Sequence, residues 1–267
     1  MHNIKHISEY NMKILLDKRD GHHRSIVALE ENAISGEVAS KARAYLDSID
    51  DFRGGMTSWG KEIPRVQKWY GNGYFGEHWQ DQDNPRWMPC EYEPELLGIQ
   101  ELMQEKFDSC VVAQELGLAG VRRRRYFRRR KRQFKPIRGQ FKQRQHRKLF
   151  NSCLLNKYRD GGDSIKAHRD SEEIFGNNPI VVILTIGAPR KLTIRRVIYD
   201  EDNLHLVRPE TVPELADEFS VEMKHGSMLV MAGALQKYYS HEIMKVDGDS
   251  CGTRYSLTFR NFETVAI

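Results

Sequence analysis

The sequence predicts a mainly β chain of the α+β class, with its helices gathered toward the N-terminal end. Three observations lead there. Short apolar segments recur at 151–158, 179–186, 191–198, 227–232 and 254–261, broken by Gly, Asn and Pro, which is the pattern of a β-sandwich or barrel. Before them, 94–108 (PELLGIQELMQEKFD) carries a helical apolar period. The chain has 267 residues, 39% of them hydrophobic, enough for one well-buried core. Its longest apolar run is Ile180–Ile186, far short of the roughly 20 residues of a membrane-spanning helix, so no membrane role is expected.

Taken in order, the opening Met1–Glu9 has no apolar core of a secretory signal. Segment 23–52 reads as helical, with an amphipathic stretch through Val38, Ala42, Tyr45 and Leu46. Segment 53–93 is rich in Gly, Pro and Trp and reads as hairpins and loops. Within it, Gly71-Asn-Gly73-Tyr-Phe-Gly76 spells GxGxxG, but no apolar helical period follows and Pro85 intervenes, so a dinucleotide site is set aside. The 94–108 helix begins at Pro94, a residue suited to a first turn. Leu97, Ile99, Leu102, Met103 and Phe107 form its expected apolar side. The four cysteines are scattered, so a disulfide framework and a zinc knuckle are not expected and a reducing compartment is. The resulting division is 1–112 for N-terminal helices and a nucleotide-recognition region, 113–148 for a basic insertion, and 149–267 for the β core.

The net charge of +5 conceals an asymmetry. Residues 122–148 hold 15 Lys/Arg and no acid, leaving 27 basic against 37 acidic residues elsewhere. A run this dense cannot pack as a core element. It reads as a phosphate-binding arm, with Tyr126, Phe127, Phe134 and Phe141 placed to stack on unpaired bases. A nuclear-import signal is a coexisting reading, and a solvated run without a specific partner is the plain alternative.

The chemistry-bearing stretch is Asn151–Glu173. His168 and Asp170 are two apart, so on a strand both point to one face. His241 follows the apolar strand at 227–231. Two histidines and one carboxylate make the facial triad that holds Fe(II) with open positions. Alone, the His-x-Asp pattern reads equally as a structural ion pair. The C-terminal strand adds an independent signal. In Arg254-Tyr-Ser-Leu-Thr-Phe-Arg260, alternation sends both arginines to one face. A buried guanidinium needs an anion, and a dicarboxylate supplies one. Asn156 and Tyr158 share a face and offer an amide and a phenol to the same ligand. Structural salt bridges are the alternative.

In the order NKYRDGGDSIKAHRDSE, PIVVILTIGAPRKLTIRR, HGSMLVM, His241 and RYSLTFR, residues of about 149–261 resemble the AlkB family of Fe(II)/2-oxoglutarate dioxygenases, nearest its eukaryotic-type DNA-repair members. A weaker likeness runs through 54–109 (PRVQKWYG and the following helix). The resemblance implies a double-stranded β-helix (jelly-roll) core and the cofactors Fe(II), 2-oxoglutarate and O2. It implies that His168, Asp170 and His241 bind the metal. Arg254 with Tyr158 would pair with the far carboxylate of 2-oxoglutarate, and Arg260 with Asn156 would hold the end near the metal. Glu172 would accept from the exocyclic amine of a target base, and Tyr74 and Phe75 would line the base pocket, though they read equally as core residues. Trp59 lies where duplex-specific relatives carry an apolar wedge. The chain departs from the family in the roughly 36 residues at about 113–148, where relatives have a short turn. The implied function is oxidative repair of N1-methyladenine and N3-methylcytosine in DNA, with RNA left open, by an intracellular, nuclear monomer. Two rivals remain: a 2-oxoglutarate oxygenase acting on a protein or small molecule, and a non-enzymatic nucleic-acid-binding β-sandwich.

Overall fold

The computed structural model describes residues 11–56, 60–71, 85–118, 149–197, 218–246 and 251–262. Trp59, Tyr74, Phe75 and the basic segment 122–148 lie outside the described residues.

Twelve described strands form two sheets. The chain opens with β1 (Lys13–Asp20) and β2 (His23–Glu30), followed by helix α1 (Gly36–Ser48) and β3 (Val66–Tyr70). A 3-10 turn at Pro85–Trp87 leads into β4 (Pro89–Cys90), α2 (Pro94–Ser109) and α3 (Val111–Glu115). After the basic segment come β5 (Ser152–Tyr158), β6 (Ile165–His168), the short α4 (Glu172–Phe175), β7 (Val181–Gly187) and β8 (Arg190–Arg196). Then follow β9 (Phe219–Met223), β10 (Met228–Gly233), α5 (Leu235–Tyr238), β11 (Tyr239–Ile243) and β12 (Arg254–Arg260). The large sheet runs β1-β2-β10-β7-β12-β5-β3-β4 and the small one β6-β11-β8-β9. This mainly β architecture of two packed sheets is the jelly-roll expected from the sequence.

All five apolar segments of the C-terminal half are strands, as expected. The reading of 23–52 as helical is corrected: residues 23–30 are β2, and only Gly36–Ser48 is helix. The run Ile26-Val-Ala-Leu29 has no alternation because β2 is interior to the sheet, with β1 on one side and β10 on the other, so both faces are buried. Asp20-Gly21 was the unread signal. Asp20 pairs with His23 across a two-residue turn at Gly21-His22, and Gly21 adopts φ 61°. The N-terminal region is therefore not a separate layer. It supplies both edges of the large sheet.

Two apolar layers cover that sheet. On its outer face, Tyr255, Leu257 and Phe259 of β12 and Ile26 and Ala28 of β2 pack with Leu46 of α1 and Leu96, Met103 and Phe107 of α2. Each fully buried side chain of this size contributes roughly 1.5–3 kcal/mol. Leu96, rather than Leu97, is the fully buried leucine of α2. The same core continues through Val112 and Ala113 of α3. Ser35 caps α1, its hydroxyl accepting from the Val38 main-chain N–H. On the inner face, Val181 and Ile183 of β7 and Leu229 and Met231 of β10 meet Leu192, Ile194 and Val221 of the small sheet. Strand parity thus sends one set of β12 side chains to the helices and the other set between the sheets.

Candidate active site

The inner face of β12 carries Arg254, Ser256, Thr258 and Arg260, every one of them buried. Opposite them, β5 pairs Tyr158 with Arg254 and Asn156 with Ser256. Two arginines between apolar sheets demand anionic partners. They meet different ones. Arg260 donates from Nε and Nη2 to the two carboxylate oxygens of Asp170, at 3.1 and 2.7 Å. Arg254 donates to the Thr185 hydroxyl at 3.1 Å and lies 5.1 Å from the centre of the Tyr158 ring, but its Nε and Nη1 have no partner among the described residues. Burial pulls the Arg254 guanidinium down to about 10, although Tyr158 beside it favours the cation. Gly187 lets the strands close over this point. It holds φ 102°, and a Cβ there would strike the Thr253 carbonyl.

The three expected metal ligands converge. His241 on β11 pairs directly with His168 on β6, and the two rings lie 4.3 Å apart. One ligand atom each from His168, Asp170 and His241 fall within 4.8 Å of one another. Among the described residues this is the only such cluster. His225 is occupied elsewhere, its Nδ1 accepting from the Gly187 N–H.

The route to convergence differs from the expectation. His168 and Asp170 do not alternate on one strand: His168 ends β6, and Asp170 sits in the bend before α4. Asp170 is turned inward by two contacts that the sequence reading missed. Its carboxylate is held by Arg260, and its main-chain N–H donates to the Gln236 side-chain oxygen at 2.9 Å. Gln236 is 3% exposed and lies on α5, just before β11, so it ties the Asp170 bend to the strand carrying His241. No local pattern marks Gln236; the Gln-x-x-x-x-His spacing acquires meaning only when both ends reach the metal site.

The donor chemistry suits a divalent iron. His168 Nδ1 lies 2.8 Å from the Lys166 carbonyl, which can only accept, so Nδ1 carries the proton and Nε2 is left to coordinate. Burial pushes both imidazoles down, His241 to about 3 with the charge of His168 contributing. Both are therefore neutral at pH 7, the form that binds metal. For Asp170, burial opposes ionisation, but Arg260 and the two histidines outweigh it and hold the carboxyl below its usual range.

The histidine shifts set a pH dependence for the metal-free protein. The unfolded chain takes up protons on His168 and His241 below about pH 6.5, while the folded chain does not. Their contribution to stability is complete above that pH and falls away toward His241's folded value of about 3. The loss should reach at most about 1.4 kcal/mol per pH unit per histidine. Denaturant midpoints measured between pH 7 and 5 should decline, and His241→Asn should flatten the decline. An identical slope in that variant would contradict the assignment.

The other expected residues are placed as follows. Asn156 is buried and its Oδ1 accepts from Arg65 Nε at 2.9 Å. Tyr158 is buried beneath Arg254. Glu172 opens α4, where its Oε1 accepts from the main chain of Asn178, a residue at φ 54°. Trp69, Trp87, Phe175 and Phe262 form an aromatic wall next to Arg260, whose guanidinium lies 4.8 Å from the Phe175 ring centre.

Comparison with known proteins agrees with this geometry. The family model described as the 2OG-Fe(II) oxygenase superfamily matches residues 68–260, well over half of the chain and all of its ligand set. The chain belongs to the 2OG-Fe(II) oxygenase superfamily. Within it, the relatives that the chain matches carry AlkB-homologue names. It is 33% identical over 119 residues to "DNA oxidative demethylase ALKBH2" of Arabidopsis thaliana, covering 42% of this chain and 37% of that protein. It is 36% identical over 111 residues to "Alpha-ketoglutarate-dependent dioxygenase alkB homolog 3" of Bos taurus, covering 42% of this chain and 36% of that one. The chain thus spans under two fifths of the length of these relatives. "The structure of OsALKBH1" superposes with a TM-score of 0.52 at 11% identity, covering 88% of this chain and 96% of that one, a likeness of fold. Superfamily membership implies Fe(II), 2-oxoglutarate and O2 as cofactors. The converging triad fits the metal, and the two unpartnered nitrogens of Arg254 fit a carboxylate. No helix among the described residues is long and apolar enough to cross a membrane.

Proposed function

We propose that the chain is an oxidative demethylase of alkylated nucleic-acid bases, removing methyl groups from N1-methyladenine and N3-methylcytosine in DNA, with RNA as a second substrate class to be tested. The single observation that carries the reading is a converging His-Asp-His set whose aspartate is bound by one arginine of β12, with a second, acid-free arginine on the same face of that strand. The names of the relatives and the acid-free basic run 122–148 support nucleic acid over a peptide or small molecule.

When bound, iron and 2-oxoglutarate would, with O2, supply the oxidant that inserts oxygen into the N-methyl C–H bond, 2-oxoglutarate being converted to succinate and CO2. The protein's residues do the rest. His168, Asp170 and His241 would hold the metal from one side and leave the opposite side open. Arg254 and Tyr158 would bind the far carboxylate, while Asn156 and Arg260 would orient the end nearest the metal. Glu172 would accept from the exocyclic amine, separating amino-bearing bases from keto bases. Tyr74 and Phe75 would sandwich a base taken out of the stack, with Trp59 filling the gap it leaves. The hydroxymethyl product breaks its C–N bond, the hydroxyl proton moves to the ring nitrogen, and formaldehyde departs.

The test is turnover of methylated oligonucleotides, single- and double-stranded, DNA and RNA, with iron and 2-oxoglutarate each omitted in turn. Repair dependent on both is expected. Succinate formed only with a peptide substrate would sink the reading. Deleting 122–148 should weaken oligonucleotide binding and flatten its salt dependence, because fewer counterions are released. An unchanged slope would show that the segment serves another partner. Nuclear localisation and a monomeric state belong to the same proposal.

A further inference from the structure

We infer that Gln236 is a positioning residue of the metal centre: its side-chain oxygen fixes the bend that presents the Asp170 carboxylate to the metal. The inference rests on the superfamily's metal occupying the His168, Asp170 and His241 set.

The small sheet aligns two of these ligands and leaves the third to other means. His168 and His241 are direct partners across β6 and β11, so main-chain pairing fixes their spacing. β6 ends at His168, and Asp170 lies two residues beyond it, outside the ladder. A chain leaving a strand regains two soft dihedrals per residue, so nothing in β6 itself dictates where Asp170 points. Such a bend is held by contacts made across space.

Helix α5 supplies two of them. The Asp170 N–H donates to Gln236 Oε1 at 2.9 Å, in the buried interior. The preceding residue, Arg169, donates from Nη1 to the Lys237 carbonyl at 3.3 Å. Successive residues of the bend thus meet successive residues of α5. The helix is itself anchored. The Ala234 N–H donates to the Arg24 carbonyl of β2 at 2.9 Å, and the Tyr238 carbonyl accepts from the Val197 N–H at 2.8 Å. α5 runs straight into β11, with Gln236 five residues ahead of His241. One short segment therefore carries His241 on its strand and, through Gln236, holds the backbone of Asp170.

The chemistry of the amide agrees. An N–H faces it, so the atom presented to Asp170 is the oxygen. Its Nε2 is buried and has no hydrogen-bond partner among the described residues. An unpaired buried amide nitrogen costs stability, so an apolar side chain would serve packing better at this position. What glutamine contributes is the acceptor. Partners of this kind, one step back from the metal, keep a ligand in the orientation that coordination requires.

The experiment measures Mn(II) affinity of the full chain for the wild type, Gln236→Met and Gln236→Glu, with the electron paramagnetic resonance spectrum of the bound ion and the thermal midpoint of the metal-free chain. Gln236→Met keeps the length and loses the acceptor, and its Mn(II) affinity should fall about tenfold to a hundredfold. Gln236→Glu keeps an oxygen toward the Asp170 N–H and should recover most of the affinity and the wild-type spectrum. Undiminished Mn(II) affinity in Gln236→Met would overturn the inference. A folded Gln236→Glu chain with equally weakened binding would overturn it too, because the oxygen would not be the operative group, and this arm decides even where the methionine variant is unstable. A wild-type chain that binds no Mn(II) would instead overturn the metal-ligand assignment, a separate result. No oligonucleotide enters these measurements, so a different substrate class would leave them unchanged.

Discussion

Asp170→Ala is expected to abolish both metal loading and turnover, and to destabilise the protein as well. The metal would lose its only carboxylate ligand, and two neutral imidazoles 4.3 Å apart would be a poor site for a hard divalent cation. The same change removes the partner of Arg260, which is 5% exposed and donates two hydrogen bonds to Asp170. Removing one member of a buried ion pair costs about 3–5 kcal/mol, because the remaining charge stays buried. The two effects can be measured apart: Mn(II) titration reports the site and chemical denaturation reports the fold. Asp170→Asn separates them further, since an amide oxygen can still accept from Arg260 while the negative charge is lost. Metal affinity in the asparagine variant should stay far below wild type with a smaller loss of stability. Full activity in either variant would refute the ligand assignment.

Arg254→Met carries the second large effect, and it has two opposite signs. Arg254 is fully buried, with Nε and Nη1 unpartnered, and burial draws its proton affinity down to about 10. In the ligand-free protein this is an uncompensated buried cation. A methionine of comparable length should fill the space without that penalty, so the thermal midpoint should hold or rise. The variant should nevertheless lose about a hundredfold or more in 2-oxoglutarate affinity, the scale of truncating one partner of a buried charge pair. A residue kept for structure would behave otherwise, with its loss lowering the midpoint. A lower midpoint with unaltered 2-oxoglutarate binding would remove Arg254 from the site.

The site was largely legible in the sequence because strand parity is a local property. Arg254 and Arg260 are six apart, an even spacing, so a strand must place them on one face; the same holds for Asn156 and Tyr158. What parity could not foresee was Asp170, whose orientation is set by a bend and by two distant partners, Arg260 and Gln236. The strand at 23–30 was misread because an interior strand, buried on both sides, has no alternation to read, and the Asp20-Gly21 turn was its one clear marker.

The residue types and their parity, read together with the family resemblance, pointed to the candidate metal ligands, the two arginines of the last strand and a jelly-roll core. Local sterics dictate which way each side chain leaves a strand, and that rule needs no partner. The pairing of Arg260 with Asp170, the tether from Gln236, and the acid-free state of Arg254 were decided by tertiary structure only. Each depends on which groups 66 to 90 residues apart share a buried space, or fail to. Charge matching there is set by proximity across sheets, where low polarity makes a missing counter-ion costly and so turns an unpaired guanidinium into a ligand site.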